Sequence, residues 1–99
     1  MRDYLTPPVV KIIDATAYNG QPGDKIQVTA IDDFNIVSVR LTIEQADGSE
    51  IETGLCIPDE NGIHWHYTAT ETNTIEPGQK VLAAATDTPG NKGTGIAEF

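Results

Sequence analysis

The chain of 99 residues has a single cysteine, Cys56. No disulfide can form within it, and packing alone must hold the fold. Cations are scarce too, with 6 Lys plus Arg against 15 Asp plus Glu and a net charge of -9. Nucleic-acid binding needs a basic patch, and six scattered cations do not make one. No apolar run approaches the ~20 residues of a membrane-spanning helix. The first eight residues, Met1-Arg2-Asp3-Tyr4-Leu5-Thr6-Pro7-Pro8, lack the apolar stretch of a signal peptide. Membrane insertion is therefore not expected, and either the chain is cytosolic or it is a piece of a longer protein whose export signal lies elsewhere. The length suffices for one hydrophobic core and not for two.

What the chain does have is a regular beat of turn residues. Asn19-Gly20 with Pro22-Gly23, Asp32-Asp33-Phe34-Asn35, Asp47-Gly48, Pro58-Asp59-Glu60-Asn61-Gly62, Glu76-Pro77-Gly78 and Thr88-Pro89-Gly90-Asn91 separate seven segments. These segments are rich in Val, Ile and Thr and alternate apolar with polar, the period of strands with one buried face. Strands are expected at 9–14, 24–31, 36–45, 49–56, 62–70, 79–87 and 93–98, with no helix. Ile26, Val28 and Ala30 should share one face, as should Val37, Val39, Leu41 and Ile43 on the third strand. The fifth strand should turn Ile63, Trp65 and Tyr67 inward and His64 and His66 outward. Val81, Ala83 and Ala85 suit a central strand crowded from both sides. Seven short strands at this spacing predict an all-β sandwich over residues 9–99 rather than a parallel sheet, with the choice among sandwich topologies still open. Residues 1–8, with their two prolines, read as a linker or an added N-terminal segment.

Three stretches carry a family resemblance. Ala84-Ala85-Thr86-Asp87-Thr88-Pro89-Gly90-Asn91, Ile75-Glu76-Pro77-Gly78-Gln79-Lys80-Val81 and Gly62-Ile63-His64-Trp65-His66-Tyr67 resemble segments of bacterial immunoglobulin-like and fibronectin type III-like domains. The first is similar to the stretch that closes the penultimate strand, the second to the corner leading into that strand, and the third to a core strand with tryptophan and tyrosine. Val81 stands where the fibronectin corner carries tyrosine, which favours the bacterial immunoglobulin-like group. Together with the strand pattern, the resemblance implies an all-β, seven-stranded antiparallel immunoglobulin-like sandwich with Greek-key connections, a tandem module of secreted or surface proteins, outside the cell and without a reaction of its own. Its implied partners are neighbouring domains of the same polypeptide, or a protein or carbohydrate ligand. In isolation the domain is expected to be a monomer.

Candidate chemistry is sparse. In an immunoglobulin-like topology three acidic loops meet at one end of the sandwich. Asp32, Asp33, Asn35, Asp59, Asp87 and Asn91 would gather there, with Glu60 and Asn61 nearby, and calcium takes six to eight such oxygen ligands. Asp and Asn also favour turns for their own backbone hydrogen bonds, and no continuous EF-hand spacing is present. His64 and His66 share a strand face and would need a third ligand to hold zinc. Cys56, between Leu55 and Ile57, reads as a small buried hydrophobe rather than a nucleophile. Glu50 and Glu52, two apart on one strand, read as a solvated pair. Tyr4, Tyr18 and Phe34 are the aromatic residues expected at the surface. No nucleophile has a partnered base, no cofactor fingerprint is present, and no enzyme activity or resident cofactor is expected beyond the calcium idea.

Overall fold

Alternation of apolar and polar residues builds eight antiparallel strands in the computed structural model, which describes residues 7–32, 36–60, 63–88 and 90–99. They are β1 (Val9–Asp14), β2 (Lys25–Ile31), β3 (Ile36–Glu44), β4 (Glu50–Leu55), β5 (Ile57–Pro58), β6 (His64–Thr68), β7 (Lys80–Asp87) and β8 (Lys92–Glu98). One sheet has the order β1-β2-β6-β5 and the other β4-β3-β7-β8. Among the described residues there is no helix. The two sheets form an immunoglobulin-like sandwich, as the strand pattern and the resemblance together imply.

The expected fourth strand, 49–56, is where the topology is decided. Its body, β4, pairs with β3, and the chain then crosses at Cys56 so that Ile57 and Pro58 pair with β6 in the opposite sheet. The fourth strand thus joins the sheet of the third and seventh, not the sheet it joins in constant-type immunoglobulin domains. Cys56 at the crossing donates its backbone N–H to the Val39 carbonyl at 2.8 Å, which ties the switch point to the core.

Ile26, Val28 and Ala30 from one sheet face Val39, Leu41, Ile43, Val81, Ala83 and Ala85 from the other, all fully buried. Trp65 and Tyr67 point into the same core, as the alternation requires. β7 lies between β3 and β8, which accounts for its run of alanines.

Bulges and a strand end overturn three expectations. Between β3 and β7 the register shifts at Ile36/Ser38, so Val37 is the extra residue and is exposed, while Ile36 packs on the core in its place. Ile63 precedes β6 and is exposed rather than inward. On β4 the register shifts around Ile51, so Glu50 stands opposite Glu44 and Glu52 opposite the buried Ile43. Glu50 and Glu52 are therefore not a solvated pair, because one extra residue turns Glu52 into the interior.

Candidate functional site

The ladders place three connections at one pole. Val9 pairs with Ile31, Ile36 with Asp87 and Thr86 with Lys92, and Ala30 N–H bonds to the Ile63 carbonyl. Pro8 is buried there against Gly93, whose missing side chain leaves room for the Pro8 carbonyl. The start of β1 and the turns after β2, β5 and β7 thus share an end, as the topology implied.

Asp87 continues the inward positions of β7 and is only 1% exposed. Its Oδ1 accepts the Asn91 N–H at 2.8 Å, its own N–H donates to the Asn91 carbonyl at 3.0 Å, and its Oδ2 is buried without a hydrogen-bond partner. Asp32 follows β2 in the inward register of Ile26, Val28 and Ala30, with both carboxylate oxygens shielded from solvent. Asp59 does not join them. Its Oδ1 accepts from His66 Nδ1 at 2.7 Å on the outer surface of the β1-β2-β6-β5 sheet, because the β5–β6 register sets Asp59 diagonally across from His66. Asp33 and Asn35 lie outside the described residues. Among the described residues no group of three or more His, Cys, Asp or Glu side chains is placed to hold a metal ion.

The histidines face outward, as expected, and both rings are engaged through Nδ1. His64 Nδ1 lies 2.9 Å from Thr29 Oγ1 and 3.2 Å from Gln27 Nε2. Cys56 does not reach this surface. It is buried, and burial pushes its thiol up from 9.0 to about 12, so at neutral pH it is a protonated, inert group.

Tyr18, expected at the surface, is buried at the opposite pole with its ring 5.7 Å from that of Phe99. Its hydroxyl accepts from Asn73 Nδ2 at 3.2 Å, and Asn73 Nδ2 also donates to Gln79 Oε1 at 3.0 Å. Gln79 Nε2 in turn donates to Gln45 Oε1 at 3.0 Å and to the Thr74 carbonyl at 3.1 Å. Polar residues thus plug this end of the sandwich. Tyr4 and Phe34 lie outside the described residues. The described aromatics are buried or, for Phe99, half-buried against Tyr18, so they form no flat platform on which a sugar ring could stack.

An open groove of about 320 Å³ at the Phe99 pole is lined by Ile13, Ala15, Val81, Ala97 and Phe99, far along the strands from Asp87. A shallower one of about 160 Å³, beside His66, is lined by Asp14, Thr16, Lys25 and Gln27. Thr16 borders both grooves, and its hydroxyl and N–H donate to Asp14 Oδ1 at 2.7 and 3.0 Å, the pattern of a local turn that caps its own backbone.

No family model and no curated protein matches the chain. Solved structures do. A tetra-tandem repeat in the extending region of a large adhesion protein aligns with a TM-score of 0.52 at 20% identity, over 94% of this chain and 23% of that one. A conjugative transposon lipoprotein from Bacteroides eggerthii DSM 20697 aligns with a TM-score of 0.45 at 14% identity, over 94% of this chain and 96% of that one. The likeness is one of fold. No helix of the described residues is long and apolar enough to cross a membrane.

Proposed function

We propose that this chain is a non-catalytic structural or interaction module, a spacer or adhesive immunoglobulin-like unit of a longer bacterial extracellular or cell-surface protein. Residues 1–8 would be its linker and 9–99 the unit. The observation that carries this reading is the course of the first and last strands. β1 leaves the Asp87 pole and β8 leaves the same pole, so both run toward the Gln79 end, where Phe99 N–H bonds to the Gln79 carbonyl. Pro7 and Phe99 therefore sit at opposite ends of a molecule measuring 48 × 29 × 17 Å. Tension applied between those ends runs along β1 and β8 and loads their ladders in shear, where several hydrogen bonds must break together. That is a sound geometry for a load-bearing link. The aligned share of the adhesion-protein structure, 23%, is close to one unit of a four-repeat chain and supports the same reading.

Force spectroscopy tests it. Pulling between Pro7 and Phe99 is expected to require a markedly higher force than pulling between Lys80 and Phe99, which lie on paired strands at one pole and unzip β7 from β8. Equal forces would remove the load-bearing role.

A second reading, ligand binding at the acidic pole, is favoured by the buried Asp87 Oδ2, since an unpaired buried carboxylate oxygen is costly unless a cation or proton satisfies it. Calcium held by Asp32, Asp87 and the Asn91 region would do so and would stiffen the entry of the chain. Calorimetric titration with calcium is expected to give heat and a raised melting temperature, both abolished in Asp87→Asn. Absence of both in the native chain would sink this reading and leave the spacer standing. A glycan array gives the carbohydrate version its own test.

A further inference from the structure

Two four-stranded sheets have four edges, and three of these are blunted. β1 is entered through Pro7-Pro8 and carries a bulge at Lys11. β4 carries its bulge at Ile51 and turns the charged Glu52 inward. β5 is only Ile57–Pro58, and its proline has no N–H to offer. Bulges, inward charges, prolines, short length and edge charges are among the devices that keep a sheet edge from pairing with another chain. β8 has none of the first four, and its charges, Lys92 and Glu98, stand only at its two ends. Its seven residues contain no proline and keep an unbroken register with β7, from Lys92 opposite Thr86 to Glu98 opposite Lys80.

In an antiparallel ladder, residues alternate between bonding the neighbouring strand and facing away from it. Asp87 and Asn91 form a bonded pair, and so do Gln79 and Phe99. By the same alternation Gly93, Gly95 and Ala97 bond β7, and the backbone groups of Lys92, Thr94, Ile96 and Glu98 point out from the edge. The side chains of those four residues are exposed.

We propose that β8 pairs antiparallel with β8 of a second copy, centred on Gly95, so that the two β4-β3-β7-β8 sheets become one continuous sheet across a two-fold axis. In that register Lys92 stands opposite Glu98 of the second copy, and Thr94 opposite its Ile96. All four pairs are of the edge-facing kind, so the alignment that brings opposite charges together is also one that hydrogen-bonds. Such self-complementarity is what an isologous interface requires. Ile96, 59% exposed, gains cross-strand cover from Thr94 of the second copy. Beside β8, where Val10 packs on Gly95, β1 exposes Val9 and Ile12, which add apolar surface to the same margin.

A net charge of -9 opposes this association over long range, and salt screens it, with a Debye length of about 8 Å at physiological ionic strength. A single strand pair is a small contact, in the weak class below roughly 1,200 Å². The dimer therefore forms at high protein concentration and physiological salt.

Sedimentation equilibrium of the full chain tests the proposal. The mass is expected to rise from 10.6 kDa toward twice that value as the protein approaches millimolar concentration. Thr94→Pro removes an edge-facing N–H that β7 does not use, and should hold the chain at 10.6 kDa with an unchanged melting temperature. Lys92→Glu leaves the backbone untouched and puts like charges opposite each other, and it should weaken the dimer about tenfold, the equivalent of about 1.4 kcal/mol. A chain that stays monomeric throughout overturns the proposal. So does a dimer that both variants leave intact, and so does open-ended growth, which would mean that β8 pairs with a different edge of the next copy.

Discussion

Tyr67 donates its hydroxyl to Glu52 Oε2 at 2.5 Å inside the sandwich, joining β6 of one sheet to β4 of the other. The same oxygen accepts from Thr70 N–H at 3.0 Å and Thr70 Oγ1 at 3.1 Å, and Oε1 accepts from Glu71 N–H at 3.3 Å. One buried carboxylate thus ties the two sheets and the loop after β6. Burial, and then the hydrogen bond to Glu52, push the Tyr67 phenol above its ordinary range, which keeps the hydroxyl a donor.

Removing the acceptor is expected to cost more than removing one donor. Glu52→Ala strands the buried Tyr67 hydroxyl and frees the exposed Thr70–Glu71 loop from the sandwich, and at about 1–3 kcal/mol for an unsatisfied buried group, with the lost charge-assisted bonds to the loop added, it should destabilise the fold by about 3 kcal/mol. Tyr67→Phe leaves the carboxylate its Thr70 and Glu71 donors and should cost about half as much. Urea denaturation of the two variants gives the comparison. The reverse ranking would show that Glu52 is not the organising group.

The contact between β1 and β8 depends on missing side chains. A Cβ on Gly93 would lie 1.7 Å from the Pro8 carbonyl oxygen, and one on Gly95 would lie 2.7 Å from Val10 Cγ1. Backbone cannot yield as a side chain can, so Gly93→Ala should lower stability by about 3 kcal/mol and Gly95→Ala by about 1 kcal/mol, within the range for overpacking. Thermal melts of both variants check the order. Gly93→Ala should also speed hydrogen exchange in β1, since it pushes that strand off the sandwich.

Cys56 sets part of the alkaline limit. Because its thiol is raised from 9.0 to about 12, the folded chain keeps a proton that the unfolded chain releases. The resulting stability is present in full below about pH 9 and is lost as pH rises toward about 12. Cys56→Ala is expected to flatten the fall of melting temperature over that window and to leave the acid side unchanged. An identical alkaline slope in the variant would show that other groups, Tyr67 among them, carry it alone. A thiol reagent should react with the native chain only on the timescale of unfolding.

Much of the fold was legible because its cause is local. Period-two alternation marks Ile26, Val28, Ala30, Val39, Leu41, Ile43, Val81, Ala83 and Ala85 as inward, and glycine, proline and aspartate mark the turns between strands. Val37, Ile63 and Glu52 escaped that logic for one reason. Bulges and strand ends shift parity through pairing with a distant strand, and no local spacing announces them. Tyr18 was misplaced because its partners, Asn73 and Phe99, lie more than fifty residues along the chain and meet it only when the sheets close.

The acidic end shows the same division. That the turns after β2, β5 and β7 share a pole with the start of β1 follows from strand order. Which acids meet there depends on side-chain direction. Asp87 points inward with Val81, Ala83 and Ala85, and Asp59 turns away to His66.

By itself, then, the sequence determined the strands, their turns, the absence of an internal disulfide and the acidic charge, since each is a property of neighbouring residues or of composition. Only the tertiary structure decided that the fourth segment crosses between sheets at Cys56, that Glu52 is an internal tie and that β8 is, among the described residues, a sheet edge with neither bulge nor proline. Each of these depends on which strand lies beside which, and that is set when the two faces are buried against each other.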